Sequence, residues 1–472
     1  MERREFYIDG AWIAPSVPHD FPVIDPSTEE PCATISLGTA EDADKAVTAG
    51  EAAFPSWSAA SVGERVALLE KLLGLFTERR AELARAMTLE MGAPTDFAYN
   101  EQWEAGAVHL QETIRVLQEF AFETPCGNDT LFHEPIGVAA LITPWNWPMN
   151  QVILKVAPAL AAGCTMVLKP SEIAPLSSLI LADMIHDAGF PPGVFNLVNG
   201  DGPGVGARLS AHPDVDMVSF TGSTRAGSLI SKAAADTVKR VSLELGGKGA
   251  NIVFADADAG AVERGVLGCF ANTGQSCDAP TRMLLHESVY SKAVDTAAQV
   301  ATAQKVASAH DAGNHIGPLV SEAHWQKVQS MIQMGIDEGA RLVAGGTGKP
   351  KGLETGYFVK PTVFADVTNG MQIAQEEVFG PVLVMIPFAS EEAAIEIANE
   401  SLYGLGNYVQ TADKDRARRV ARALRSGMVH VNDNVLGTDT PFGGYKQSGN
   451  GREGSVWGLE EYLEIKAVSG LR

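Results

Sequence analysis

The chain has 472 residues, 45% hydrophobic and 20% charged, a composition that supports two or three packed cores and excludes wholesale disorder. Its 58 acidic residues against 36 basic ones give a net charge of -22, which repels nucleic acid and anionic membranes and sets both aside as partners. The five widely spaced cysteines form no CxxC pair and no Cys/His cluster. With no apolar leader or membrane-length run, this points to a reducing, cytoplasmic setting without a structural metal.

Phe6-Tyr-Ile-Asp-Gly-Ala-Trp12 reads as a hairpin turning on Asp9-Gly10. A long helix is expected over 63–91, where Val66, Leu69, Leu72, Leu73 and Phe76 keep helical spacing and Gly92 and Pro94 supply the stop. A second amphipathic helix is expected over 95–119. From Gly137 the pattern changes to short apolar runs alternating with helical ones: Val138-Ala-Ala-Leu-Ile142, Met166-Val-Leu168, Val194-Phe-Asn-Leu-Val198, Met217-Val-Ser-Phe220 and Val241-Ser-Leu243. Such alternation implies βαβ crossovers and a parallel sheet, whose ligands bind where the strands end. A second α/β segment runs from about Gly249 to Asn434, with helices expected over 321–338 and 413–425 and a strand at Val382-Leu-Val-Met-Ile386. The β-prone tail, Tyr462-Leu-Glu-Ile-Lys-Ala-Val468, needs a pairing partner to stay ordered.

Within the second segment, Asn272-Thr-Gly-Gln-Ser-Cys277 places a cysteine among small polar residues, a setting suited to an accessible nucleophile. On its own such a cysteine is more often a small buried hydrophobe, so its partners decide the matter. The loop Gly202-Pro-Gly204-Val-Gly206-Ala fits a GxGxxA dinucleotide fingerprint, weakened by Pro203 and by the lack of an acidic residue about twenty positions on.

Pro144-Trp-Asn-Trp-Pro, Lys169-Pro-Ser-Glu, Phe220-Thr-Gly-Ser, Leu243-Glu-Leu-Gly-Gly-Lys, Gly274-Gln-Ser-Cys, Glu377-Val-Phe-Gly-Pro-Val and Pro441-Phe-Gly-Gly-Tyr-Lys occur in this order along essentially the whole chain. The series resembles the NAD(P)-dependent aldehyde dehydrogenase superfamily, as a bacterial-like, hydrolytic member. The resemblance implies an α/β fold with a Rossmann-type cofactor domain (1–121 and 136–246), an α/β catalytic domain (247–447) and a small β oligomerisation module (122–135 and 448–472). It implies Cys277 as the nucleophile, Asn146 as an oxyanion donor and Glu244 as the base that activates water against the thioester.

The same resemblance implies cofactor contacts from Thr143, Pro144, Trp145, Lys169, Ser171, Glu172, Gly202, Gly206, Phe220, Gly222, Ser223, Leu245, Glu377 and Phe379. A carboxylate at Glu172 accepts hydrogen bonds from ribose hydroxyls and repels a 2′-phosphate, so NAD is expected over NADP. The substrate pocket is expected from Trp147, Gln151, Leu154, Ser276, Asp278, Asp433 and Phe442, which suits a polar-tipped or aromatic aldehyde and disfavours a carboxylate beside Asp278. A homodimer or homotetramer is implied. Two rival readings stand beside the leading one: a CoA-acylating semialdehyde dehydrogenase, against which Glu244 speaks, and an inactive structural relative, against which the joint presence of Cys277, Glu244 and Asn146 speaks.

Overall fold

The computed structural model describes residues 2–432 and 434–471. The expected hairpin forms as β1 (Phe6–Ile8) and β2 (Ala11–Ile13). Asp9 and Gly10 take φ of 52° and 76°, the left-handed pair that a two-residue turn needs to match strand twist. The apolar runs after Gly137 become β3 (Val138–Ile142), β4 (Thr165–Lys169), β5 (Phe195–Leu197), β6 (Met217–Gly222) and β7 (Arg240–Leu245). They assemble in the order β7-β6-β3-β4-β5-β1-β2, parallel throughout except for the hairpin at the edge. Every residue of β3 and β4 is buried, because helices cover both faces.

The second sheet uses β8 (Ala250–Val253), β9 (Arg282–His286), β10 (Arg341–Ala344), β11 (Thr362–Ala365), β12 (Val382–Phe388), β13 (Gly406–Gln410) and β14 (Met428–Val431). Its order is β10-β11-β12-β9-β8-β13-β14, with only β10 antiparallel. The tail strand Leu463–Val468 pairs antiparallel with Asp129–Pro135, which pairs in turn with Glu123–Cys126 in a separate sheet.

Three helical expectations need correction. The helix over 63–91 is two, Val62–Glu78 and Arg80–Met91, because the chain leaves helical geometry at Arg79 (φ -93°, ψ 20°). The helix over 95–119 contains a π segment, Ala98–Gln102, before Trp103–Glu119. Helix Ala40–Ser58 went unread, since its apolar face is mostly alanine and Pro55 lies inside it. The helices Glu322–Asp337 and Lys414–Ala423 form as expected, capped by Ser321 and Asp413.

Candidate active site

The first sheet reverses direction at β3. The chain steps outward through β4 and β5, then returns to lay β6 and β7 on the other side of β3. At such a reversal the loops leaving neighbouring strands diverge, and a crevice opens at their carboxyl ends. The residues there are Pro144, Trp145 and Asn146 after β3 and Gly222 and Ser223 at the end of β6. With Leu245, Cys277, Glu377 and Phe379 they line a groove of about 650 Å³.

Helix Thr224–Ala234 begins at this groove, with Ser223 Oγ accepting from the Ala226 N–H at 3.3 Å. The unsatisfied N–H groups of the first turn make that end a place for an anion such as a pyrophosphate. Glu377 Oε1 accepts from the Gly247 N–H at 2.7 Å, and burial pushes its carboxyl above the ordinary range. A Cβ on Gly246 would come within 2.4 Å of Glu377 Oε2, so a larger residue there would push that carboxylate aside. Groove, helix terminus and carboxylate together fit a dinucleotide.

Four groove residues escaped the sequence reading: Thr221, Gly246, His324 and Lys327. His324 Nε2 lies 2.7 Å from the Phe379 carbonyl, which can only accept, so Nε2 carries the proton. Burial pushes this imidazole down to about 4, leaving it neutral. Trp145 packs against both His324 and Phe379, with ring centroids 5.3 and 5.5 Å away. His324 sits on a helix with ordinary amphipathic spacing, so nothing local marked it.

Other expected cofactor residues lie beside the groove rather than on its lining. Thr143 and Phe220 are buried near the ends of β3 and β6. Lys169, buried at the end of β4, donates to the Gly200 carbonyl at 2.5 Å and the Pro170 carbonyl at 2.8 Å, with Glu172 Oε2 at 3.4 Å. Ser171 adjoins them and is 9% exposed. Gly202 and Gly206 bound a short turn whose Gly204 N–H is taken by Asp201 Oδ1 at 2.6 Å. That acidic side chain occupies an amide that a phosphate would otherwise use, so the fingerprint-like loop caps itself.

The cysteine loop owes its shape to three successive left-handed residues, Asn272, Thr273 and Gly274, with φ of 51°, 59° and 70°. Only glycine fits at 274, because a Cβ would approach the Gly380 carbonyl carbon to 2.2 Å. Asn146 Nδ2 donates to the Gln275 carbonyl at 3.0 Å, and the Asn146 carbonyl accepts from Gln102 at 3.1 Å and Asn272 at 2.9 Å. This lattice holds the amide still and leaves its second N–H for the groove that it shares with Cys277. Burial, then the Asp278, Glu377 and Glu244 carboxylates, hold the Cys277 thiol well above its ordinary value.

Glu244, the last but one residue of β7, has 2% exposure and no partner for either carboxylate oxygen among the described residues. Burial and then the Glu453 carboxylate raise its pKa well above 4.5, while Lys155 and Arg452 oppose the shift. A Cβ on Gly443 would lie 2.7 Å from Glu244 Oε1, so the carboxyl points toward that glycine, off the groove lining. Lys155 is ion-paired to Glu453 and lies 3.1 Å from Ser219 Oγ. The sequence reading missed this buried pair, whose members lie in separate motif-free stretches.

A second cavity, of about 680 Å³, takes Gln151, Leu154, Asp278 and Phe442 from the expected substrate set and adds His109, Asn150 and His430. Cys277 lines the first cavity and Asp278 the second, so the cysteine loop stands at the partition between them. Trp147 and Ser276 are joined to each other, Nε1 to Oγ, at 2.8 Å. They lie outside the lining of the second cavity. Asp433 falls outside the described residues.

The family model described as "Aldehyde dehydrogenase family" matches residues 12–468. A 3-succinoylsemialdehyde-pyridine dehydrogenase from a Pseudomonas species is 53% identical over 99% of this chain and 98% of its own. Among solved structures, an aldehyde dehydrogenase from Bartonella henselae superposes with a TM-score of 0.99 at 55% identity, covering 99% of both chains. A mutant of aldehyde dehydrogenase C from Pseudomonas syringae, complexed with NAD+ and octanal, gives 0.98 at 50% identity, over 99% of this chain and 97% of that one.

Proposed function

The chain belongs to the aldehyde dehydrogenase family and is an NAD(P)-dependent enzyme oxidising an aldehyde to its carboxylic acid, and on that premise we propose that Cys277, Asn146 and Glu244 carry the reaction. The observation that carries this assignment is the position of Cys277 and Asn146 on one groove, with the amide braced and one N–H free. Cys277 gives its Sγ proton to solvent, the thiolate adds to the aldehyde carbon as the C=O π pair moves onto oxygen, and the oxyanion is held by that N–H and the Cys277 backbone N–H. Bound NAD+ supplies the hydride acceptor that turns the thiohemiacetal into a thioester. Glu244, turned from Gly443 toward the thioester, takes a proton from water, whose oxygen attacks the carbonyl; the acid leaves and the thiol is restored. A carboxylate with its pKa raised by burial and by Glu453 is a stronger proton acceptor than an exposed one.

Glu377 would accept from the nicotinamide ribose and the N-terminus of helix Thr224–Ala234 would meet the pyrophosphate, with Trp145, Phe379 and Leu245 walling the groove. Glu172, beside Lys169 at the end of β4, supports a preference for NAD over NADP. The substrate is a polar-tipped or aromatic aldehyde, a reading supported by the relative named for a pyridine semialdehyde and by the mixed lining of the second cavity. We assign 1–121 and 136–246 to the cofactor domain, 247–447 to the catalytic domain, and 122–135 with 448–472 to the contact between subunits of a cytoplasmic dimer or tetramer.

Rapid mixing of Glu244→Gln with NAD and an aldehyde tests the assignment. We expect about one equivalent of NADH per site, an acyl adduct on Cys277 seen by mass spectrometry, and steady turnover lowered by at least about 10²-fold. Continued turnover at the wild-type rate would remove Glu244 from the mechanism. Release of the acyl group only when CoA is added to the wild-type enzyme would favour the acylating alternative.

A further inference from the structure

Aldehyde oxidation sets no requirement on what lies at the far end of the substrate; the second cavity does. Among its described lining residues there is no lysine or arginine, and Asp278 is the one carboxylate. Apart from its own backbone N–H, that carboxylate has no donor among the described residues; the nearby Tyr408 hydroxyl is spent on the Asp278 main-chain carbonyl, at 3.1 Å. His430 lies stacked on Tyr408, ring centroids 4.6 Å apart. Its Nδ1 faces the Asn434 carbonyl at 3.3 Å, which can only accept, so Nδ1 carries a proton, and Nε2 has no partner among the described residues. Gln151, 4% exposed, and Asn150 each bring an amide oxygen with no partner. The amides can turn to offer N–H groups, but a carboxylate in its ionised form cannot donate.

The wall behind the nucleophile therefore presents unmet acceptors and one uncompensated negative charge, and Cys277 must draw its substrate past them. A carboxylate with no cation bonded to it gains most from a ligand that carries the missing positive charge, and it repels an anion of the same shape. Resting on the aldehyde dehydrogenase reading above, we propose that Asp278 selects aldehydes bearing a cationic nitrogen, charged permanently or by taking up a proton at the carboxylate, over aldehydes of equal size that end in a neutral or anionic group. Phe442 and the Leu154 and Met428 side chains in the same lining cover the aliphatic or ring portion between the two ends.

The test compares kcat/KM for 4-(trimethylammonio)butanal, its neutral carbon isostere 5,5-dimethylhexanal, and succinate semialdehyde, followed by NADH absorbance with the intact enzyme at neutral pH. The cationic aldehyde should lead its isostere by at least about tenfold and the anionic one should come last. In Asp278→Asn the ratio of the first two should fall by at least about tenfold, with Asp278→Glu restoring part of it. Because each ratio is taken within one enzyme, any general loss of turnover cancels. A wild-type ratio near one, a lead for succinate semialdehyde, or a ratio indifferent to Asp278→Asn overturns the proposal while leaving aldehyde oxidation intact. No NADH from wild type with any of the three, or with a panel of simple alkanals, would instead sink the reaction assignment beneath it.

Discussion

Cys277, the proposed nucleophile, is kept in its protonated form. Burial and three surrounding carboxylates, Asp278, Glu377 and Glu244, all disfavour thiolate, and Lys327, the one lysine or arginine in the described lining of the groove, does not outweigh them. The sign follows directly: with its pKa above 9.0, the fraction of reactive thiolate is small at neutral pH and grows about tenfold per pH unit until that pKa is passed. Without cofactor, inactivation by iodoacetamide should therefore still be accelerating at pH 9, with loss of activity tracking the label on Cys277 by peptide mapping, separately from any label on the exposed Cys126. A rate that levels off below pH 8 would show a cation near the sulfur and a different balance of charge. The resting thiol is thereby protected from oxidation, a benefit for a half-buried cysteine beside a solvent-connected groove.

At the level of elements, the loops that leave strands carry the selectivity. The stretch after β4 holds Lys169 and Glu172 together, and the lysine is anchored to the Gly200 and Pro170 carbonyls rather than free to follow a ligand. Its position is thus fixed, and in the proposed cofactor site the neighbouring carboxylate would decide whether a 2′-phosphate is tolerated. Glu172→Gln should raise the NADP-to-NAD ratio of kcat/KM by at least about tenfold, equivalent to about 1.4 kcal/mol of relieved repulsion. Both cofactors would be titrated at one saturating aldehyde concentration in wild type and variant. An unchanged ratio would mean that Glu172 does not face the ribose. The loop at Gly202–Gly206 is a contrasting case: its glycines match a familiar spacing, yet Asp201 closes the turn on itself.

Across the whole molecule, the tail joins distant parts. Arg240, at the start of the strand that carries Glu244, donates to the Glu461 and Leu463 carbonyls at 2.8 Å and pairs with Glu464 at 2.7 Å. Leu463–Val468 then pairs along the full length of Asp129–Pro135, leaving Ile465 65% exposed on the sheet's outer face. An apolar side chain on an exposed three-stranded sheet suits a subunit contact. Sedimentation should find the full chain as a dimer or tetramer and a chain ending at Tyr462 as a smaller species. A full-length monomer would dismiss the assembly, and an unchanged stoichiometry after truncation would place the contact elsewhere.

Short-range pattern was enough for the strands β3 to β7, because a strand buried on both faces must be a short apolar run and its neighbours must be helices. Cys277, Asn146 and Glu244 were named through the family that the ordered motifs resemble; the structure sets Cys277 and Asn146 on one groove and Glu244 off its lining. The break at Arg79 was not readable, because the apolar periodicity continues across it and only packing reveals the change of direction. Nor could the sequence disclose Glu453 against Lys155, 298 positions apart, or His324 against Phe379, since a side chain's partner at that distance depends on how the sheets are laid together. The division of Cys277 and Asp278 between two cavities is likewise a tertiary outcome. Cys277 and Asp278 are neighbours in the chain, but what surrounds each is brought there from distant parts of the sequence.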